Sequence, residues 1–263
     1  MPLHLAAGSM LDANPFALVD AAAHAGFDGV GLRLSLDHAL DRSEVVALGA
    51  QLRNRGLVVH DAEVHRIGTG PDDVAALIDA TARLGARHLL VVSDLSSTAE
   101  TEDQLGSVAE RCRTVGVVAA LEYMAWTTPA RSADAVRLAA ATGSVVVVDL
   151  LHHHRLGEGV DELNAVVDSG LLGWVQLCDA PATAPGDGDL AALIDEARHR
   201  RLPPGEGRLP LHALLQALPT GTAISVEVQS TDLAALAPRR RAERLHAAAM
   251  HVLTAGHDSK STG

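Results

Sequence analysis

The sequence predicts a single-domain α/β fold, a (β/α)8 TIM barrel, and three observations carry that prediction. Short apolar runs alternate with amphipathic stretches from one end of the 263 residues to the other. Eight such strand–helix units in about 250 residues match the usual size of a closed barrel. No linker or shift of composition divides the chain. The rival, an open doubly wound sheet, calls for a Gly-rich turn after its first strand, and the sequence has none there.

The elements follow in order. Strands are expected at 3–7, 29–33, 57–64, 88–92, 117–123, 145–149, 174–178 and 223–228. Helices are expected between them at 15–25, 43–55, 72–84, 102–115, 130–141, 160–169, 190–199 and 211–218, with a closing helix at 238–253. Asn14 before Pro15, the run Pro71-Asp72-Asp73, and Pro129 supply helix starts. Gly26, Gly56, Gly85, Gly116 and Gly143 each stand between a helix and the next strand, where a left-handed turn ends the helix. The run Val145-Val146-Val147-Val148 is apolar throughout, as a parallel strand covered on both faces requires. The barrel takes residues 1–255, and 256–263 reads as a disordered polar tail. The segment 180–188 is long for a strand–helix loop and is expected to cover a site.

Composition narrows the function. Hydrophobic residues make up 48% but aromatic ones 2%, so Ala, Val and Leu must build the core. The net charge of −12 argues against nucleic acid and anionic membranes, which need a positive footprint. Two cysteines make no disulfide framework, and neither a signal segment nor an 18-residue apolar stretch is present, so a cytoplasmic protein is expected. Lys260 is the only lysine and lies in the tail, which opposes Schiff-base chemistry. The phosphate loop, the nucleophile elbow and the dinucleotide fingerprint are all missing.

Four consecutive strands finish in a metal-capable oxygen donor: Glu122, Asp149, Gln176 and Glu227. Alternation puts Val118, Ala120 and Glu122 on one face, likewise Val145, Val147 and Asp149, and likewise Ser225 and Glu227. Carboxylates gathered at one depth inside a barrel repel unless a cation lies between them, so a divalent metal is expected; a structural polar cluster is the alternative. An all-oxygen set favours Mg2+ or Mn2+ over zinc. Other residues at or just past strand ends are candidates for substrate contact against ordinary loop polarity: Arg33, Glu63, His65 and Asp179. Trp126 is a candidate pocket wall, Arg155 a candidate for an anionic substrate, and Glu206 a candidate orienting group. Trp174, inside a strand, reads as core. Adjacent residues cannot all face one centre, so only His152 of His152-His153-His154 is a site candidate.

These motifs resemble the xylose isomerase-like TIM barrels, a family of sugar phosphate isomerases and epimerases. The family's Glu, Asp, His and Glu metal ligands fall on Glu122, Asp149, Gln176 and Glu227. Its Asp-x-x-His is matched by Asp149-Leu150-Leu151-His152, and its strand-seven Val-His-x-x-Asp by Val175-Gln176-Leu177-Cys178-Asp179, with Gln in place of His. Its Arg-x-x-Pro-Gly-Glu-Gly is similar to Arg201-Leu202-Pro203-Pro204-Gly205-Glu206-Gly207 with one extra proline. The resemblance implies that Glu122 and Glu227 flank the substrate as ligands and acid/base groups, that His152 acts on a hydroxyl, and that the substrate is a small polyhydroxylated carbonyl compound. Gln176 and Asp179-Ala180-Pro181 also resemble metal-dependent dehydratases of the 3-dehydroshikimate type, which keeps a lyase reaction as the alternative. An AP-endonuclease-like nuclease is opposed by the net charge. A non-catalytic binding protein is opposed by the retention of all three carboxylates. A homo-oligomer stays open.

Overall fold

The structure is a computed structural model that describes residues 1–34, 40–69 and 74–255. Eight parallel strands close into a barrel in the order β1 to β8. They are β1 (Leu3–Leu5), β2 (Gly29–Arg33), β3 (Val58–Ile67), β4 (His88–Ser93), β5 (Val118–Glu122), β6 (Val145–Asp149), β7 (Leu172–Leu177) and β8 (Ile224–Val226). The helices are α1 (Pro15–Ala25), α2 (Arg42–Arg55), α3 (Ala75–Arg83), α4 (Thr98–Thr114), α5 (Ser132–Thr142), α6 (Leu150–Arg155), α7 (Val160–Asp168), α8 (Leu190–His199), α9 (Leu211–Gln216), α10 (Thr231–Ala234) and α11 (Pro238–Ala255). The fold is the one the alternation of patterns predicts.

Local chemistry explains the element ends. The Asn14 side chain accepts from the Ala17 amide at 2.9 Å ahead of Pro15, and Gly26 closes α1 at φ +91°. Asp41 and Glu44 form a reciprocal capping box at the start of α2. The apolar outer faces of the strands pack against the helix ring, with Val146, Val148, Val175 and Leu177 fully buried. Inside the barrel, Leu90, Ala120, Val147 and Trp174 form a second, smaller apolar layer.

Three departures from the predicted elements matter. α6 and α10, of six and four residues, are too short to show helical periodicity. β1 and β8 end at Leu5 and Val226, two residues earlier than their apolar patterns, because a short 3-10 turn (Ala7–Met10) begins there. A register shift pairs Val30 with Val59 and Gly31 with Asp61, so His60 is skipped in the β2–β3 ladder. The predicted start of α3 at 71–73, the polar tail 256–263 and Lys260 lie outside the described residues. Among the described residues no helix is long and apolar enough to cross a membrane.

Candidate active site at the strand ends

The Asp149-x-x-His152 spacing has a local cause. Asp149 is the last residue of β6 and the cap of α6, and its Oδ1 accepts from the Leu151 and His152 amides at 2.8 and 3.0 Å. That turn carries the third helical side chain, His152, back beside the carboxylate. Glu122, from the end of β5, completes a buried trio whose ligand atoms all lie within 4.8 Å of one another. The His152 Nε2 stands 3.9 Å from Glu122 Oε1.

Glu227, the residue after β8, approaches this trio through Arg201. Ser9 holds its strand from both sides: the Ser9 hydroxyl donates to the Val226 carbonyl at 2.9 Å and accepts from the Val228 amide at 2.8 Å. The turn carrying Ser9 passes so close that a Cβ on Gly8 would lie 2.1 Å from Glu227 Oε1, so any larger residue there would displace the Glu227 carboxylate. Gln176 lies level with Asp149 on the neighbouring strand, and its buried Oε1 has no hydrogen-bond partner among the described residues. A buried amide oxygen without a partner among the described residues, level with a buried carboxylate, is a donor available to a cation. The residues therefore fit a divalent metal.

Between Asp149 and Glu227 lies Arg201. Its Nη1 donates to Asp149 Oδ2 at 2.5 Å and stands 3.7 Å from Glu227 Oε2, and its Nη2 is 3.3 Å from His152 Nε2. The guanidinium is almost fully buried. Its position is built by two of the sequence motifs acting together. Asp179 and Leu202 exchange backbone hydrogen bonds at 2.8 Å. The Asp179 carboxylate then accepts from the amides of Gly205, Gly207 and Leu209 at 3.0, 3.0 and 2.9 Å. A Cβ on Gly207 would stand 2.4 Å from that carboxylate. The strand-seven Asp thus organises the Pro-Gly-Glu-Gly turn, and the turn fixes where Arg201 enters the barrel.

Charge and burial set the protonation of the cluster. Burial pushes the Glu122 carboxyl well up, and the nearby Glu227 and Asp149 charges push the same way. Burial raises Glu227 to about 7, with Arg201 opposing and Glu63 and Asp149 adding. Burial would also raise Asp149, but the Arg201 guanidinium, His152 and the α6 amides outweigh it and hold it low. His152 is lowered to about 4, by burial first and by Arg201 against the pull of Asp149. Deeper in the barrel Asp61 is raised well above the carboxylate range by burial and by Glu63 and Glu227.

A cavity of about 400 Å³ opens above these groups, and Arg33, Glu63, Glu122, Trp126, His152 and Glu227 line it. Glu63 accepts from the Ala7 amide at 3.2 Å and from Arg33 Nη1 at 3.3 Å. Trp126 packs edge-on against His152 with ring centres 5.0 Å apart. The structure does not bring the remaining predicted contacts to this cavity. Arg155 forms a buried two-pronged pair with Glu196, both bonds 2.8 Å, and donates to the Pro181 carbonyl at 2.7 Å. It clasps the loop after β7. Asp179 is spent on its turn, Glu206 pairs outside with Arg244, and His65 is buried apart from the cavity lining. His153 bonds Tyr123 and the Gly159 carbonyl, which keeps it out of the site. Residues that sequence patterns missed also line the cavity: Arg66, Arg198, Arg201 and Gln229. Only Arg201 carried a signal, as the first residue of the Arg-x-x-Pro-Gly-Glu-Gly run.

A model of the xylose isomerase-like TIM barrel family matches residues 19–255. The chain belongs to that family. Solved structures of the same fold include the zinc-bound IOLI protein, with TM-score 0.83 and 16% identity over 97% of this chain and 99% of that one. Another is a xylose isomerase domain protein from Alicyclobacillus acidocaldarius, with TM-score 0.75 and 22% identity over 98% and 99%. D-psicose 3-epimerase from Clostridium cellulolyticum aligns at TM-score 0.70 and 13% identity over 96% and 99%. A search of curated protein sequences finds no significant match. At these identities the structural likeness speaks to the fold of this xylose isomerase-like chain; its chemistry has to be argued from its own residues.

Proposed function

We propose that this protein is a divalent-metal-dependent isomerase or epimerase of a small polyhydroxylated carbonyl compound. The observation that supports it best is that the buried Glu122 and Glu227 line one cavity with His152, at the ends of β5 and β8, while Asp149 on β6 and Gln176 on β7, whose Oε1 has no partner among the described residues, stand on the strands between. Glu122, Asp149, Gln176 and Glu227 would hold the ion, with His152 beside them. A bound divalent ion supplies electrophilic stabilisation of negative charge on the substrate's carbonyl and neighbouring oxygens.

The chain's own groups do the proton work. Glu227, poised near neutrality, accepts the proton from the carbon next to the carbonyl, leaving an enediolate. Glu122, whose carboxyl burial pushes up, is the second acid/base group, and return of a proton to either carbon completes isomerisation or epimerisation. His152, neutral and aimed into the cavity, is placed to exchange a proton with a substrate hydroxyl. Trp126 and Met124 give that lining its apolar part. Loss of a β-hydroxyl from the same enediolate would instead give dehydration.

Proton NMR in D2O of ketoses, inososes and dehydroshikimate, with Mg2+ or Mn2+ added, tests this. Deuterium uptake without loss of water is expected; loss of water would assign the dehydratase reaction, and full turnover after EDTA treatment would overturn the metal mechanism. The amide at position 176 supports Mg2+ or Mn2+ over zinc. Gln176→His should therefore raise zinc affinity about tenfold or more, read by competition with a zinc chelator.

A further inference from the structure

Four arginines line the cavity, and three of them are neutralised. Arg33 pairs with Glu63, Arg201 with Asp149 and Glu227, and Arg66 with Asp94. The fourth, Arg198, makes no hydrogen bond or ion pair with any described residue. It stands on the last turn of α8, and the chain then crosses the barrel mouth: the Arg201 amide bonds the Gln229 carbonyl and Leu202 pairs with Asp179. This crossing sends Arg201 down into the carboxylates and leaves Arg198 on the rim.

Arg66 reaches the same rim from β3. Asp94 fixes it through both carboxylate oxygens, one bond being Nε to Oδ2 at 2.9 Å, and the Thr69 hydroxyl donates to Asp94 as well. Asp94 is held low by Arg66 and Thr69 against its partial burial, and the Arg198 charge contributes too. One carboxylate therefore feels two guanidiniums, and among the described residues one positive charge is left over at this corner. Both guanidiniums line the cavity and both act on Asp94, so a second oxyanion beside them is attracted by the charge that Asp94 alone leaves uncompensated. Their planar donor forks match carboxylate and phosphate oxygens.

We infer that the substrate carries an anionic group, a phosphate or a carboxylate, that seats between Arg198 and Arg66 while its carbonyl end points down to Glu122 and Glu227. The orientation rests on the isomerase function proposed above; the anion site itself does not. A cavity of about 400 Å³ suits one such small molecule, within the roughly 300–1,000 Å³ usual for ligand sites.

Calorimetric titration of the Mg2+-loaded full chain with inorganic phosphate, and separately with malonate, tests the site. At least one anion should bind the wild type and bind Arg198→Ala at least tenfold more weakly, with affinity falling as salt rises. Arg198 is exposed, so the variant should fold, and its melting curve checks that. Tighter phosphate binding assigns a phosphorylated substrate, and tighter malonate binding a carboxylated one. No binding of either, or equal binding by wild type and Arg198→Ala, overturns the inference. Deuterium exchange into D-fructose and D-fructose 6-phosphate separates the two proposals. Arg198-dependent anion binding with no exchange in any ketose leaves the anion site standing and removes the isomerase function. Exchange into neutral ketoses without anion binding does the reverse.

Discussion

Asp149 divides its two oxygens between folding and chemistry. Oδ1 caps α6, and Oδ2 meets Arg201. A cation at this site must therefore contend with the guanidinium for Oδ2 and for Glu227. Arg201→Met should leave those two carboxylates uncompensated in metal-free protein. A loss of about 3–5 kcal/mol of stability is expected, and added Mn2+ should restore most of it, as read by urea unfolding with and without the ion. Glu227 tests the proton step. Glu227→Gln keeps an oxygen and removes the base, so deuterium exchange should fall by about 10²–10⁴ while the melting temperature holds or rises, because a buried charge is lost. Exchange near the wild-type rate would show that Glu227 moves no proton.

The element that decides the site is the turn after α8 and not a strand. Asp179 gathers three turn amides besides that of Ala180, and Gly207 touches its carboxylate. Gly207→Ala forces a methyl into a 2.4 Å gap, and the turn must shift, taking Arg201 with it. The expected cost is about 1–3 kcal/mol, as for other overpacked sites, together with a drop in catalysis larger than that at Gly106 on α4, where an added Cβ would make only an ordinary contact with Thr142 at 3.7 Å. Paired urea melts and exchange rates of Gly207→Ala and Gly106→Ala check this. The same clasp logic explains Arg155. It was a candidate anion binder by composition alone, yet its donors hold Glu196 and the loop carbonyls.

At the scale of the whole barrel, the floor opposite the site is built of imidazoles. His4 stacks on His60 with ring centres 4.4 Å apart, and His60 and His88 each lie 4.9 Å from Trp174. His4 Nδ1, His60 Nε2 and the Trp174 indole nitrogen find no partner among the described residues. Burial lowers His4 to about 4 and His60 to about 2, so the folded barrel holds both rings neutral. Above pH 6.5 folded and unfolded chains agree. Below it the unfolded chain takes protons that the folded one refuses, so each ring withdraws about 1.4 kcal/mol of stability per pH unit. The loss runs from pH 6.5 to about 4 for His4 and on to about 2 for His60. Asp61 and Glu122, with raised values, act the other way as pH falls. Comparing wild type with His60→Phe isolates the imidazole: urea-derived stability at pH 7, 6 and 5 should fall more steeply in the wild type, by about one proton's worth of slope. Parallel curves would show that His60 is protonated in the folded barrel.

The sequence by itself determined the barrel, because alternating apolar runs, capping residues and helix-ending glycines act over a few neighbours and leave their period in the chain. It also determined the depth at which Glu122, Asp149, Gln176 and Glu227 lie, since alternation along a strand fixes which side chains face inward. What surrounds them was decided only by tertiary structure. Arg201 reaches the carboxylates from 52 residues beyond Asp149 through a turn that Asp179 organises, and His152 joins the cluster because Asp149 caps a six-residue helix. Arg66 and Arg198 meet at one rim though they come from β3 and α8. Such meetings depend on barrel closure and on how loops cross its mouth. No local period records them: Arg155, Asp179 and Glu206 spend their polar groups on the loops around the cavity, while Arg198 and Arg201 line it.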